Sequence, residues 1–119
     1  MARILIVDDE ESIRTLLQEV LNSNGHDCEI VGTAMEALGL IAAKRYDLVI
    51  MDQNMPLMTG SEAVVRLRAD PKHRDLPILM STAKPLDQDI GASGYLSKPI
   101  DLHKLIETVA SLAAPRAGP

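Results

Sequence analysis

Asp8, Asp9, Asp52, Thr82 and Lys98 are the residues whose types and positions could do chemistry. Each lies at the end of a short strand-like run. Residues 4–7 (Ile-Leu-Ile-Val) lead into Asp8-Asp9, and 48–51 (Leu-Val-Ile-Met) into Asp52. Residues 78–80 lead into Ser81-Thr82, and 95–97 into Lys98-Pro99. In an open parallel sheet these ends share the carboxyl edge, where such sheets bind ligands. Clustered carboxylates raise one another's pKa unless a cation relieves the charge. An all-oxygen site of two or three acids suits a hard ion such as Mg²⁺, or Mn²⁺ in its place, sharing its shell with a phosphate. Lys98 adds a second positive charge and Thr82 a hydroxyl donor. Together these groups describe phosphoryl transfer, with an in-line carboxylate as nucleophile.

Each piece also has a plainer use. Asp8-Asp9-Glu10-Glu11 could be the acidic start of a helix, favoured by its dipole. Asp52 could open a turn, Thr82 cap a weak helix, and Lys98 be a solvated loop lysine. One shared site accounts for all four positions at once. There is no Ser-His-Asp set, no histidine metal cluster and no Gly-rich phosphate loop, and His26, His73 and His103 are scattered along the chain.

The runs at 4–7, 48–51 and 78–80 are dense and unalternating, as in strands covered on both faces. The more polar run at 27–31 suits an edge. Between them lie helical periodicities: Ile13, Leu16, Leu17, Val20 and Leu21, stopped at Asn24-Gly25, then Ala37, Leu38, Ile41 and Ala42 behind a capping box at Thr33 and Glu36. A shorter helix carries Val64 and Leu67 from about Gly60-Ser61 to Pro71. A last one, capped by Asp101, carries Leu102, Leu105, Ile106, Val109 and Leu112. Alternating strands and helices imply right-handed βαβ units and a parallel sheet.

At 119 residues and 46% hydrophobic, the chain is one domain with a single core, over 1–113, followed by a flexible tail at 114–119. A net charge of −5 argues against a general nucleic-acid binder. No apolar run is long enough to span a membrane, and the single Cys28 cannot form an internal disulfide, so the cytoplasm is the expected compartment. With no Phe or Trp, the core must be aliphatic, and Tyr46 or Tyr95 can have a task beyond filling space.

Taken in order, Val7-Asp8-Asp9-Glu10, then 47–56 (Asp-Leu-Val-Ile-Met-Asp-Gln-Asn-Met-Pro) with Gly60, then 76–83 and 91–99, the chain resembles a response-regulator receiver domain of two-component signalling from about Arg3 to Leu112. The resemblance implies a flavodoxin-like α/β three-layer sandwich with a five-stranded parallel sheet of order 2-1-3-4-5. It implies that Asp52 is the phosphoacceptor, taking a phosphoryl group from a histidine kinase or phosphotransfer protein. Asp8, Asp9, Asp52 and the Asn54 backbone carbonyl would hold Mg²⁺, Asp8 mainly through water. Lys98, the Thr82 hydroxyl and the backbone N–H groups of Gln53 and Ala83 would meet the phosphoryl oxygens. Tyr95 matches the family's switch aromatic, and the Lys98-Pro99 bond its cis peptide. Asn54 and Lys84 stand where family members vary and tune phosphoryl lifetime. A downstream protein would read the active form. The expected oligomeric state is a monomer or weak dimer, and self-phosphorylation and autodephosphorylation do not make it a turnover enzyme.

The chain departs from the family between Thr82 and Tyr95, where the segment is shorter by more than one helical turn, so the fourth helix is expected to be short or disordered. Other readings are a phosphorylation-independent pseudo-receiver, a Mg²⁺-dependent phosphohydrolase with an aspartate nucleophile, and a flavodoxin-like electron carrier. Against the phosphohydrolase, Asn54 stands where such enzymes place a proton-shuttling acid. Against the carrier, the acidic run after the first strand repels phosphate.

Overall fold

A computed structural model describes residues 2–86 and 88–113; the expected tail at 114–119 lies outside them. Five strands, β1 (Arg3–Val7), β2 (Asp27–Val31), β3 (Leu48–Asp52), β4 (Ile78–Thr82) and β5 (Gly94–Ser97), form one parallel sheet in the order β2-β1-β3-β4-β5. Helices α1 (Glu11–Ser23), α2 (Ala34–Ala43), α3 (Gly60–Ala69) and α4 (Leu102–Leu112) cover its two faces. This is the flavodoxin-like three-layer sandwich that the family resemblance implies.

The period-2 alternation of the strands divides the core. Leu5, Val7, Val49, Met51, Ile78 and Met80 point to one face, against α2 and α3. Ile4, Ile6, Leu48, Ile50, Leu79 and Leu96 point to the other, against α1 and α4. The three central strands are buried on both faces, so their sequences carry no polar alternation. Strand β2 is the more polar edge expected.

The helix signals are mostly where the sequence puts them. Asn24 caps α1 and Gly25 follows with φ 87°, and Asp101 accepts from the His103 and Lys104 N–H groups at the start of α4. The box expected at α2 is half made: Thr33 accepts from the Glu36 N–H, while the Glu36 carboxylate takes the Thr33 hydroxyl instead of the backbone. A complete box opens α3, between Thr59 and Glu62.

The helix expected between β4 and β5 is curtailed to its limit. Between β4 and β5, no described residue is helical. Leu86, Ile90 and Ala92 still pack on the α2/α3 side of the core, so an irregular crossover covers what a helix would cover. Arg68 of α3 fastens its far end, donating to Gly91 O at 2.8 Å and to His73 O at 2.7 Å. Ser93 completes the attachment: its N–H donates to Ile78 O, and its Oγ accepts from the Ile78 N–H.

Candidate functional site

The sheet brings Asp8, Asp9 and Asp52 together at its carboxyl edge because β1 and β3 are neighbours that end in register, Val7 opposite Met51. One carboxylate oxygen from each acid lies within 4.8 Å of the others, the span over which one small cation can be held. Asp8 and Asp52 are buried and Asp9 is exposed, so the cluster opens to solvent on one side. The hard oxygen donors fit Mg²⁺.

Lys98 reaches the cluster from the end of β5. Its ammonium lies 2.7 Å from Asp52 Oδ1 and 4.0 Å from Asp8 Oδ2. To do so it crosses β4, which lies between β5 and β3. Its backbone N–H donates to Thr82 O, extending the β4–β5 ladder by one residue, and Lys98-Pro99 is cis as the resemblance implies.

The charges shape one another. Burial pushes the Asp8 carboxyl up, the Glu10 N–H at 2.9 Å opposes that, and the Asp52 charge adds to it. Burial alone would lower the Lys98 ammonium. The hydrogen bond and charge of Asp52, with Asp8 behind them, more than offset it, so Lys98 is held above its ordinary value. Three acids face one ammonium, a net negative site that a cation would relieve.

Gly60 is fixed by a close approach. A Cβ there would overlap the Asp52 carbonyl oxygen and come within 2.9 Å of Met51 Cγ. Helix α3 therefore starts directly against the backbone of the central acid. Gln53 secures the same junction: its Nε2 donates to Ser61 Oγ and its Oε1 accepts from the Ser61 N–H, both at 2.8 Å. The backbone N–H of Gln53 donates to Ser81 O at 2.9 Å, so the expectation that it meets a phosphoryl group is corrected. The β3–β4 ladder continues one residue beyond Asp52 and takes that donor. Asn54 follows, exposed, and the loop turns at Leu57, which has φ 71°.

Thr82 is buried at the end of β4, and its hydroxyl donates to Lys84 O at 2.7 Å. Lys84 and Ala83 are exposed. Tyr95 is 46% exposed and pairs in register with Met80, two residues before Thr82 on the same face. Thr82, Lys84, Leu86 and Tyr95 line a cavity of about 680 Å³ beside the crossover. Sequence reasoning assigned no role to Gln53's side chain, to Thr59, or to Ser81, which stands buried beside Asp52 in register. For Ser81 the signal was present, as a hydroxyl closing an apolar strand. For Gln53 there was none, since its partner lies eight residues away, across a loop.

Three acids and an ammonium on the carboxyl edge of a 2-1-3-4-5 sheet define a receiver. The chain belongs to the response regulator receiver domain family, whose pattern matches residues 4–110. The response regulator MprA of Mycobacterium sp. (strain KMS) is 38% identical over 126 aligned positions, covering 98% of this chain and 54% of that protein. The chain thus spans about half the length of the curated relatives it matches. Among solved structures, the chemotaxis protein CheY4 of Vibrio cholerae is 35% identical, with a TM-score of 0.86 over 94% of this chain and 98% of that one. TrrA of Thermotoga maritima, solved in complex with Mg²⁺–BeF, is also 35% identical, with a TM-score of 0.86 over 94% and 99% of the two chains. The receiver domain of sensor histidine kinase PA1611 of Pseudomonas aeruginosa PAO1 is 28% identical, with a TM-score of 0.87 over 96% and 98%, and has a magnesium ion coordinated in its active-site cleft. Among the described residues, no helix is long and apolar enough to cross a membrane.

Proposed function

We propose that this receiver is phosphorylated on Asp52 by a histidine kinase or phosphotransfer protein in the cytoplasm, and that the phosphorylated form is read by a partner protein. The observation that carries the reading is the pairing of buried Asp52 with Lys98 at 2.7 Å, beside the Asp8–Asp9 cluster. Asp8, Asp9 and Asp52, with the Asn54 backbone carbonyl, would hold Mg²⁺, which supplies positive charge to the transferring phosphoryl group.

The Asp52 carboxylate attacks phosphorus in line. A P–O bond forms as the P–N bond of the donor phosphohistidine breaks, and the imidazole nitrogen leaves with the electron pair. Lys98 neutralises charge on the phosphoryl oxygens, and the backbone N–H of Ala83 adds a donor. Thr82 must give up its bond to Lys84 O before its hydroxyl can turn to those oxygens. That exchange frees the near end of the crossover and the space beside Tyr95. Phosphorylation in this way biases two arrangements of one segment. Lys84 and Asn54, both exposed beside the site, tune how fast water reaches the phosphoryl group.

Incubation with a small-molecule phosphodonor and Mg²⁺, read by intact mass, tests this. Wild type gains one phosphoryl group and Asp52→Ala gains none. A wild type unmodified under conditions that modify a control receiver would refute the reading.

A further inference from the structure

Ser81 lies between Asp52 and Leu96 in the sheet, in register with both. Register partners on adjacent strands point to the same face. Leu96 packs in the α1/α4 layer, so Ser81 and Asp52 point that way too. The Lys98 side chain crosses β4 on its way to Asp52 and so passes this position. Ser81 is 1% exposed, and its Oγ has no hydrogen-bond partner among the described residues. A buried hydroxyl without a partner is costly. Alanine would fill the same position of β4 without that cost.

Asp52 Oδ1 is equally buried and is held at 2.7 Å by the Lys98 ammonium. A carboxylate oxygen has two acceptor sites, so one donor does not saturate it. Neighbouring strands stand only about 4.8 Å apart. A turn of the Ser81 side chain therefore brings its hydroxyl towards the Asp52 carboxyl group. The need for that donor arises when Asp52 carries phosphorus. The ammonium then follows the negative charge onto the phosphoryl oxygens, and the carboxyl group loses its close partner.

We propose that Ser81 is a positioning residue of the phosphorylation cycle, whose hydroxyl donates to the Asp52 carboxyl group and shortens the life of the aspartyl phosphate. This rests on the reading of Asp52 as phosphoacceptor. In hydrolysis, water attacks phosphorus and the P–O bond to Asp52 breaks. The carboxylate leaves with the electron pair, and dihydrogen phosphate carries off both protons of the water. Charge returns to the carboxyl group as that bond breaks, whichever of its oxygens carried phosphorus. A donor aimed there is worth more in the transition state than in the acyl phosphate.

The test follows the decay of the phosphorylated protein by intact mass, after loading from a small-molecule phosphodonor with Mg²⁺ and removal of the donor. Ser81→Ala should decay on the order of tenfold more slowly. Its thermal midpoint should equal or exceed that of wild type, because it loses only an unpartnered hydroxyl. Ser81→Thr, which keeps the hydroxyl, should restore the wild-type rate. Unchanged decay in Ser81→Ala overturns the proposal, as does decay in Ser81→Thr as slow as in Ser81→Ala. Slow decay with a lowered thermal midpoint marks a packing role and also overturns it. A wild type that takes up no phosphoryl group refutes the Asp52 reading and the Ser81 role with it; normal uptake with unchanged decay refutes the Ser81 role alone.

Discussion

The same substitution, glycine to alanine at the helical residues Gly39 and Gly60, should change stability in opposite directions. Gly39 lies inside α2 with nothing within 4 Å of where a Cβ would stand. Alanine there adds helix propensity without a clash, a gain of about 0.5–1 kcal/mol. Gly60 is the first residue of α3, where a Cβ would overlap the Asp52 carbonyl oxygen and crowd Met51 Cγ at 2.9 Å. The nearer obstacle is backbone of the buried central strand and cannot swing away, and Met51 is wholly buried beside it. Overpacking costs about 1–3 kcal/mol. Moving the helix to relieve it also stretches the Gly60 N–H to Gln53 O bond, worth about 1 kcal/mol more. The net loss is about 2–4 kcal/mol, a fall of about 8–16 °C in Tm for a domain of this size, against a rise of about 2–4 °C for Gly39→Ala. Thermal and urea unfolding of the two variants, without metal, measure both. Because the displaced atoms are Asp52's own backbone, Gly60→Ala should also lose phosphorylation from a small-molecule donor at temperatures where it remains folded. Gly60→Ala as stable as wild type would refute the close approach as the reason for glycine, and a loss at Gly39 would refute the use of local space to assign the sign.

Asp8 has its carboxyl held above its ordinary value of 3.8 by burial, so its contribution to stability is complete below that value and is lost as pH rises through the folded one. The metal-free Asp8→Asn variant should therefore be more stable than wild type at neutral pH, with the difference vanishing under acid, as unfolding followed across pH would record. Wild type should gain about 1.4 kcal/mol from Mg²⁺ at ten times its Kd, and Asp8→Asn much less. Arg68→Ala should remove the bonds to Gly91 O and His73 O, so amide exchange should quicken across residues 88–93 while β1 and β3 stay protected.

The site was legible because its chemistry is written at strand ends. An aspartate after four buried apolar residues, or a lysine before proline at the end of an edge strand, has no packing role, and parallel topology forces such ends together. The edge place of β2 likewise follows from where polarity enters, since the run at 27–31 is more polar than the central runs, while the full order 2-1-3-4-5 comes from the family resemblance. Less legible were contacts made across loops. The Gln53–Ser61 clamp needs the backbone path of residues 53–61, which propensity does not fix, whereas the Thr59–Glu62 box is a local Thr-x-x-Glu signal that the sequence carried and sequence reasoning passed over. The Gln53 N–H was misread for a related reason. Only the register of β3 and β4 reveals that the ladder runs one residue past Asp52.

The short crossover changes how a signal can leave this site. A full helix between β4 and β5 moves as a unit, since its backbone bonds are internal. Here the described residues of that segment are held by outside groups at two places. The far end is held by Arg68 and by the Ser93–Ile78 pair, at a distance from the acid cluster. The near end is held through the Thr82 hydroxyl on Lys84 O, the group that phosphorylation would recruit. Breaking that bond would therefore loosen Lys84 to Leu86 while the far anchor at Gly91 and Ser93 stays put. The change is a local release, with Leu86 and Ile90 as the apolar residues able to leave the α2/α3 core. Tyr95, already 46% exposed, lines the same cavity as Leu86. On the proposed function, the surface that changes would be a loop and one aromatic ring, and a partner reading it would meet an irregular segment rather than a helix face.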